Sequence, residues 1–352
     1  MTYAIDDLTR FVTKVMKKAG LEAKEAHIFA NALLYADLRG VGSHGISRLG
    51  VYSKRVKSGV IASGVVPELT TDHKALLHFD GKNGIGSSVA LQVMDACMER
   101  AKEFGICFAT VKNGTHFGTG AYFTEHAAKH NMIGFAISNS EAAVVPIGGS
   151  VPMLGTNPLS FSIPSKLHSP LVLDMATSVV ARGKVVLAEK EGRSIPNNWS
   201  VDESGEPTTD PTAALGGAML PFGGAKGYAI SLIIDLLCSS FAGGLDSRKT
   251  KPFWDDFENF QNVGYLIGAI DSSKAFSQNT DSFLDSIDSA FTEFKNSPTA
   301  PGIDEVIIPG EIEDRKAKKG MLEGIKLSDS VIKELINVST TYDVPHPFGT
   351  NN

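Results

Sequence analysis

The apolar residues of the N-terminal region recur with the spacing of amphipathic helices. They form two stripes, one of Phe11, Val12, Val15 and Met16 and one of Ile28, Ala32, Leu33 and Ala36. Residues three and four apart lie on one face of a helix, so each stripe predicts a helix with a buried side. Gly20 and Gly40 are placed to end these two helices. A third helix is predicted from about Gly45 to Ser58, with Ser43 as its N-cap.

Beyond residue 62 the pattern changes to short apolar runs that are separated by helix-like segments. The runs ALLHFD, GICFATVK, MIGFAISNS and PLVLDMA predict strands, and SSVALQVMDACMERAKEF and GAYFTEHAAKH predict helices. The remaining elements are an apolar helix near residues 227–242, the strand VGYLIGAID, the helix TDSFLDSIDSAFTEFKN, the strand EVIIP and a closing helix near residues 328–341. This alternation of strands and helices is typical of an α/β protein.

The composition narrows the class of protein. Lysine and arginine number 33 and aspartate and glutamate 39, a net charge of −6, so a nucleic-acid partner is not expected. The apolar stretch GYAISLIIDLLCSSFAGG is interrupted by Asp235 and predicts a buried helix rather than a membrane span. The first twenty residues lack the pattern of a secretory signal peptide. Cys97, Cys107 and Cys238 are far apart and form no CxxC pair, so we expect a cytoplasmic protein without a disulfide framework or structural zinc.

Glycines cluster at two places where a backbone could approach a ligand. GKNGIGSSVA supplies Gly84 and Gly86 of the dinucleotide fingerprint G-x-G-x-x-G, but Val89 stands at the third position, so we favour a simple turn and helix start. PFGGAKGYAISL instead places glycines and Lys226 at the start of a helix, where free N–H groups attract anions. The alternative for this second segment is a flexible helix entry with a solvated lysine.

The most informative polar segment is RGVGSHGISRLGVYSKR. His44, Arg48 and Tyr52 are spaced four residues apart, so a helix would place them on one face. A guanidinium can clamp a small carboxylate, and an imidazole can exchange a proton with a neighbouring hydroxyl near neutral pH. The alternative is an amphipathic surface helix with an ion-pairing arginine.

A second histidine stands in KNGTHFGTGAYF, between a predicted strand and a predicted helix. His116 would then lie at the carboxyl end of a strand, where α/β sheets bind ligands, although it could also be an ordinary loop histidine. No second metal ligand has a suitable spacing from either histidine, so no metal site is expected. The chain also lacks the G-x-S-x-G motif of many hydrolases.

Seven segments, in the same order along nearly the whole chain, resemble the malate/L-lactate dehydrogenase family, which also contains ureidoglycolate, sulfolactate and cyclic-imine reductases. They are YADLRGVGSHGISRL, NGTHFGTGAYF, ISNSEAAVVPIGGSVPMLGTNP, LDMATSVVARGK, SIPNNWSVDESGEPTTDP, PFGGAKGYAISL and IPGEIE. The resemblance implies hydride transfer between NAD or NADP, with NAD favoured, and a small 2-hydroxy or 2-oxo acid. It also implies a homodimer whose partner subunit completes the cleft.

The resemblance further implies an unusual α/β fold that is unrelated to the Rossmann sheet. Residues 1–62 would form an N-terminal helical region that carries substrate residues and packs with residues 315–352. Residues 63–120 would form an α/β segment, and residues 121–314 the dinucleotide-binding region around a central mixed sheet.

Roles for individual residues follow from the same resemblance. His116 matches the proton acceptor, and His44, with Asp174 as a candidate carboxylate partner, is its rival. Arg48 matches a catalytic residue that clamps the substrate carboxylate. The residues matched to substrate binding are Arg48, Tyr52 and Thr156. Those matched to the dinucleotide are Ser140, Asp174, Met175, Ala176, Lys226, Gly310, Glu311 and Ile312.

The sequence leaves the substrate and the exact function open. The segment at Glu141, Ala142 and Ala143 differs among family members, so we expect it to set the substrate. A malate/lactate-type dehydrogenase is the leading interpretation, and ureidoglycolate dehydrogenase is the runner-up. A cofactor-binding protein without catalytic activity is the alternative from another class.

Overall fold

The structure, a computed structural model, describes residues 2–275 and 279–349. The helices are α1 (Ile5–Ala19), α2 (Ala23–Leu38), α3 (Leu49–Lys57), α4 (Gly86–Phe104), α5 (Ala121–Ala128), α6 (Arg182–Lys190), α7 (Pro211–Gly216), α8 (Ala225–Leu236), α9 (Thr280–Lys295), α10 (Glu311–Glu323) and α11 (Asp329–Tyr342). The strands are β1 (Thr2–Tyr3), β2 (Glu68–His73), β3 (Leu76–Asp80), β4 (Ile106–Gly114), β5 (Met132–Ser138), β6 (Leu159–Ile163), β7 (Leu171–Met175), β8 (Ser200–Val201), β9 (Ala218–Met219), β10 (Val263–Asp271) and β11 (Ile325–Lys326).

A seven-stranded sheet forms the centre of the molecule, in the order β2-β3-β4-β10-β5-β6-β7. The pair β3–β4 is parallel and the other neighbours are antiparallel, so the sheet is mixed, as the resemblance implied. Strand β10 lies between β4 and β5, and Val263–Ala269 are buried. This central place explains why its sequence is almost continuously apolar.

Two apolar clusters organise the molecule around this sheet. Helices α4 and α5 cover one face of the sheet, where Val93, Phe123 and Tyr265 are fully or almost fully buried. The N-terminal helices form the other large cluster, which also contains side chains of α11. The apolar stripe of α1 faces this second cluster. Of the predicted α2 stripe only Leu33 belongs to it, since Ala32 and Ala36 are buried outside the cluster and Ile28 is only partly buried. The site described below lies where these two clusters meet.

The predicted third helix is only partly correct. The segment from Gly42 to Arg48 forms two short 3-10 turns, and α3 begins at Leu49. Gly45 has an extended backbone, and a Cβ placed on it would lie 1.9 Å from Oδ1 of Asp37. The Ile46 N–H donates to the same carboxylate at 2.7 Å. Because Asp37 of α2 holds this turn, a regular helix does not start here, and Ser43 is not the N-cap of α3.

The predicted strand EVIIP is wrong. Residues 305–309 run beside β7 and contribute a hydrogen bond from the Val172 N–H to the Pro309 carbonyl, without pairing as a strand. The Ile308 N–H donates to the Glu311 carboxylate at 3.2 Å, and Pro309 has no N–H that could donate to a neighbouring strand. An apolar run therefore packs here without joining the sheet.

Candidate active site

Side chains from two segments that are distant in sequence meet at the loop that follows β4. The turns before α3 carry His44 and Arg48, α3 carries Tyr52, and the loop after β4 carries His116. The Arg48 Nη1 atom lies 3.4 Å from Nε2 of His116, and the Tyr52 Oη atom lies 2.5 Å from Nδ1 of His116. The His44 ring stacks on the His116 ring, with centroids 5.6 Å apart. The structure therefore brings together all four of these side chains.

The His116 ring is fixed from several sides. Its backbone N–H donates to Oε1 of Gln261 at 2.9 Å, and Phe253 packs against the ring with centroids 4.9 Å apart. In one tautomer, Nδ1 accepts hydrogen bonds from Tyr52 and from the Gly118 N–H. In the other, Nδ1–H donates to Tyr52, whose hydroxyl donates to the His116 carbonyl at 3.3 Å. The second arrangement leaves a lone pair on Nε2, the nitrogen that faces Arg48.

The surroundings keep both imidazoles neutral. Burial lowers the pKa of His116 well below 6.5, and the positive charge of Arg48 lowers it further. Burial and Arg48 also lower the pKa of His44 to about 3. Burial raises the pKa of Tyr52, so this phenol remains protonated. A neutral imidazole with a free nitrogen is suited to accept a proton.

The guanidinium of Arg48 has no carboxylate partner within the described residues. Its Nε–H donates to the Ser43 carbonyl, and its plane lies near Trp254 and Phe253, at 5.0 and 5.5 Å from the ring centroids. A positive group that is partly buried and forms no ion pair with the described residues is suited to bind an anion. This guanidinium lies beside Nε2 of His116, so the anion and the proton acceptor would be neighbours.

Hydrogen bonds join a second group of predicted residues to the segment after β7 and the turn before α8, and this group is here named the floor of the site. The Ser140 Oγ atom accepts from the Thr156 N–H at 3.0 Å, and the Thr156 carbonyl accepts from the Thr177 N–H at 2.8 Å. The Thr177 carbonyl in turn accepts from the Phe222 N–H at 3.0 Å. This chain of contacts places Ser140 and Thr156 beside the residues that follow β7 and the turn before α8. Met175 and Ala176 stand in the same segment, immediately before Thr177.

Asp174 connects this floor to the His116 loop. Its Oδ2 atom accepts from the Ala121 N–H at 2.8 Å, at the start of α5. The residue keeps solvent contact, but the protein around its carboxyl desolvates it and raises its pKa to about 6, against the opposing N–H groups of Ala121 and Gly120. Its hydrogen bond goes to this helix start rather than to His44, the partner that the sequence suggested.

The start of α8 has features that a dinucleotide pyrophosphate would use. Gly223 and Gly224 both have positive φ, at 57° and 63°, so the turn depends on residues without a side chain. Lys226 follows in the first helical turn and is exposed. A cation beside free helical N–H groups fits the phosphates of NAD or NADP. These residues therefore fit the cofactor that the resemblance implies.

The late loop packs against β7. A Cβ on Gly310 would lie 2.7 Å from the Val172 side chain, and its φ is 93°, so glycine is required for this close approach. The Glu311 carboxylate pairs with Lys295 at 2.7 Å and with Arg315 at 2.8 Å, and its pKa is lowered to about 2. Ile312 is exposed. The carboxylate of Glu311 is therefore engaged in ion pairs. A cofactor would contact this loop through its backbone N–H and C=O groups.

Gly86 has a packing role beneath the candidate site. A Cβ on this residue would lie 2.4 Å from the Thr115 carbonyl and 2.5 Å from the His116 carbonyl. The partial dinucleotide fingerprint is thus a turn and helix start that lies directly against the His116 loop, the alternative that the sequence favoured. No group of three or more metal-ligating side chains comes together among the described residues. Within those same residues, no helix combines the length and apolarity that crossing a membrane requires.

Sequence reasoning missed three side chains of the site and one behind it. Phe253, Trp254 and Gln261 belong to the loop before β10, and Asp37 lies behind the turn that carries His44. Their roles depend on tertiary contacts. The only signal in the sequence is the dense aromatic segment PFWDDFENF, which a surface loop without a ligand would not need.

Comparison with known proteins agrees with this geometry. The model of the malate/L-lactate dehydrogenase family matches residues 3–336. The chain is 35% identical over 346 residues to the L-sulfolactate dehydrogenase of Methanothermobacter thermautotrophicus, covering 98% of each chain. It is 33% identical to the ureidoglycolate dehydrogenase (NAD(+)) of Escherichia coli K12, covering 99% of each. The solved sulfolactate dehydrogenase of Methanocaldococcus jannaschii superposes with a TM-score of 0.91 at 33% identity, covering 98% of each chain.

The fold, the site and these relatives define the class of protein as an NAD(P)-dependent oxidoreductase of the hydroxy-acid dehydrogenase type. Its sheet differs from the doubly wound Rossmann sheet, because neighbouring strands are mostly antiparallel. The chain belongs to the malate/L-lactate dehydrogenase family.

Proposed function

We propose that the site oxidises a small 2-hydroxy acid of the malate/lactate type and reduces the corresponding 2-oxo acid. The observation that carries this proposal is the Arg48 guanidinium, which has no carboxylate partner in the described chain and lies 3.4 Å from Nε2 of His116. In a 2-hydroxy acid, the carboxylate and the reacting hydroxyl are on adjacent carbons. An anion site next to a proton acceptor matches that spacing.

Each side chain has one role in this mechanism. Arg48 binds the carboxylate through parallel hydrogen bonds and so orients the carbon that bears the hydroxyl. His116 accepts the hydroxyl proton at Nε2, while Tyr52 holds Nδ1. A bound nicotinamide would supply the acceptor of the hydride in oxidation and its donor in reduction. In reduction, the His116 imidazolium returns the proton to the substrate oxygen.

His44 is the rival for the acid–base role. Its ring stacks on His116, and its Nδ1 atom lies 3.1 Å from Oγ of Ser43. His116 is favoured because it contacts both Arg48 and Tyr52, the arrangement of a base oriented by a third group. His44 then completes the wall of the pocket. Thr156 is proposed to contact the substrate or the nicotinamide from the floor.

The dinucleotide is proposed to lie along the floor that ends at α8. Ser140, Met175 and Ala176 would line it, and Lys226 would meet the pyrophosphate. Asp174 and the loop Gly310–Ile312 would border the cofactor. We favour NAD over NADP, as the resemblance suggested, and the E. coli relative is itself named for NAD(+).

The identity of the acid that the enzyme oxidises is a separate proposal. Burial lowers the pKa of the Arg48 guanidinium, and Glu141 is near enough for its negative charge to oppose this shift. It therefore belongs to the same pocket, which supports the view that the segment from Glu141 to Ala143 selects the substrate. Malate or lactate is the leading choice, and ureidoglycolate is the second candidate, supported by the close relative that is named for it.

The assembly is proposed to be a homodimer in the cytoplasm. The exposed side of α8 carries Ile233 and Leu236, with 58% and 50% of their surface accessible, and Phe241 follows at 48%. Lys226 lies seven residues before Ile233, two helical turns away on the same side of the helix. A second copy that covers this apolar side would thus complete the cofactor cleft. The cysteines of the described chain are free and buried, which suits a reducing compartment.

A panel of acids assayed with both cofactors tests the proposal. Purified protein is mixed with NADH or NADPH and then with oxaloacetate, pyruvate, 2-oxoglutarate or 3-sulfopyruvate, and oxidation of ureidoglycolate is followed with NAD or NADP. Turnover of at least one acid is expected. Cofactor binding without turnover of any acid would instead establish the non-catalytic alternative.

A further inference from the structure

The loop from Lys251 to Gln261, here named the aromatic loop, is a closed unit. The Lys251 N–H donates to the Gln261 carbonyl, which joins the two ends of the loop. The Asp256 carboxylate accepts from the N–H groups of Glu258 and Asn259, at 3.0 and 2.9 Å, which fixes the turn between the ends. A loop that is tied internally in this way keeps its shape independently of a ligand.

A buried arginine ties the aromatic loop to the helix that carries Tyr52. Arg55 of α3 has no accessible surface, and its Nη1 atom donates to the carbonyls of Phe253 and Asp256 at 3.0 and 2.6 Å. Its guanidinium also lies 5.3 Å from the centre of the Phe253 ring. Charge-assisted hydrogen bonds from a buried arginine are among the stronger ones in proteins. The position of the loop relative to α3 is therefore well defined.

This anchoring places two consecutive aromatic rings against the site. Phe253 is buried between Tyr52 and His116, with ring centroids at 5.0 and 4.9 Å. Trp254 packs edge to face against Phe253 at 5.4 Å and leaves 49% of its surface accessible. The Arg48 guanidinium lies 5.0 Å from the centre of the Trp254 ring. An exposed indole thus stands beside the cation that lacks a carboxylate partner.

We propose that Trp254 is a positioning residue for Arg48 and forms a wall of the acid pocket. The inference rests on the proposed function and adds a residue to which no role has been assigned. The negative face of the indole attracts the guanidinium and restricts its rotation, so that its N–H groups point toward the substrate carboxylate. The rest of the indole shields this ion pair from water, which strengthens it.

The kinetic test compares two substitutions of Trp254. Trp254→Leu removes the ring and is expected to raise KM for the acid about tenfold, with kcat within about threefold of the original, because binding of the carboxylate is what weakens. Trp254→Phe keeps an aromatic face and is expected to restore KM to within about threefold. KM for the nicotinamide cofactor should stay unchanged in both. Trp199→Phe, which alters the other tryptophan of the chain, is the matched control.

A second measurement does not depend on turnover. In the Trp199→Phe variant, 5-fluorotryptophan labels Trp254 alone, and its ¹⁹F resonance is followed while oxamate, an unreactive 2-oxo acid mimic, is added to the protein with NADH. A saturable shift is expected, and Arg48→Met should abolish it. The same titration of Trp254→Phe, which leaves Trp199 as the label, should show no shift.

The outcomes separate this inference from the proposed function. If an acid is turned over but Trp254→Leu leaves KM unchanged, or oxamate inhibits without moving the resonance, the role of Trp254 is refuted and the proposed function stands. An equal loss of cofactor affinity in Trp254→Leu would also refute it, because the effect would then be a general one. If no acid is turned over, the proposed function fails and the inference fails with it.

Discussion

At the scale of single residues, the charge state of His116 is expected to determine how the activity depends on pH. In the proposed mechanism, oxidation of a hydroxy acid needs the neutral imidazole, and both burial and Arg48 lower the pKa of His116 well below 6.5. The neutral form is therefore the main one across the physiological range. Acidification removes activity only when the pH falls through this lowered pKa.

A pH profile of kcat/KM for hydroxy-acid oxidation tests this point. We expect no inflection near 6.5 and an acidic limb at lower pH, because the free enzyme keeps His116 deprotonated. Arg48→Met removes the nearby positive charge, so the acidic limb should move to higher pH, whatever the loss in absolute rate. An acidic limb that lies at 6.5 and does not move in the variant would contradict the assignment.

The two central residues should differ in the kinetic constant that they control. His116→Ala is expected to lower kcat by about 10²–10⁴-fold, the usual contribution of a general base. Arg48→Ala should chiefly raise KM for the acid, because the clamp for the carboxylate is lost. Steady-state kinetics of both variants, with His44→Ala for comparison, measures this difference. Full turnover in both variants would mean that the residues have been assigned wrongly.

Lys226 should act on the cofactor alone. Lys226→Met removes a charge from the first turn of α8 and is expected to weaken binding of NADH by about tenfold, in line with the loss of a charge-assisted contact. Fluorescence titration with NADH measures the dissociation constant. Lys14→Met, at an exposed position of α1, is the matched control. Equal affinities in the two variants would remove Lys226 from the cofactor site.

The residues of the site that the sequence could predict are those whose chemistry is unusual for their position. A histidine, an arginine and a tyrosine at regular spacing, and a histidine after a strand, make His44, Arg48, Tyr52 and His116 candidates, and only the family resemblance assigns them roles. The roles of Phe253 and Trp254 depend on where Arg55 anchors their loop. That anchor joins residues about two hundred positions apart, which no local pattern reveals.

At the scale of elements, the turn that carries His44 and Arg48 is maintained by Asp37 of α2. This carboxyl is largely buried, and desolvation raises its pKa to about 7, while the Ile46 N–H opposes the shift. A folded-state pKa above the unfolded value means that the folded protein binds the proton more tightly. The stability that protonation contributes is therefore present at low pH and is lost as the pH rises from about 4 to 7.

Asp37→Asn tests this link between the turn and pH. The amide oxygen can still accept from Ile46, but it carries no charge, so the variant should be more stable than the original protein at pH 8, by about 2 kcal/mol. At pH 5 the difference should be clearly smaller, because only part of the stability that is lost between about pH 4 and pH 7 has then been lost. Denaturant unfolding at both values measures the free energies. A variant that is less stable at pH 8 would show that the ionised carboxylate is the form that the fold requires.

Elements with a long apolar run are predictable from the sequence, whereas strands without one, such as β2 and the short alternating β6, are not predicted. Strand β10 was located residue for residue, whereas β2 is exposed at every position and so leaves no alternating pattern. The sequence predicts a continuous helix where the short 3-10 turns before α3 lie, because a segment of three residues is too short to show which helical period it follows. What separates the two is the contact between Gly45 and Asp37, a tertiary feature.

At the scale of the whole molecule, the exposed apolar side of α8 predicts how two copies meet. Ile233→Glu places a charge in the proposed interface and is expected to convert the dimer to monomer and to weaken binding of the cofactor, because Lys226 lies on the same side of α8. Sedimentation velocity measures the mass. Phe294→Glu, at an exposed position of α9, is the control and should remain dimeric. A monomeric original protein, or dissociation of the control alone, would rule out this interface.

The contact between Gly86 and the loop of His116 has a practical consequence for engineering. Any larger residue at this glycine would push on the Thr115 and His116 carbonyls and so displace the imidazole, although the glycine lies beneath the substrate pocket. A combinatorial library intended for new acids should therefore keep this position constant. Diversity is better introduced in the segment from Glu141 to Ala143, which is proposed to select the acid.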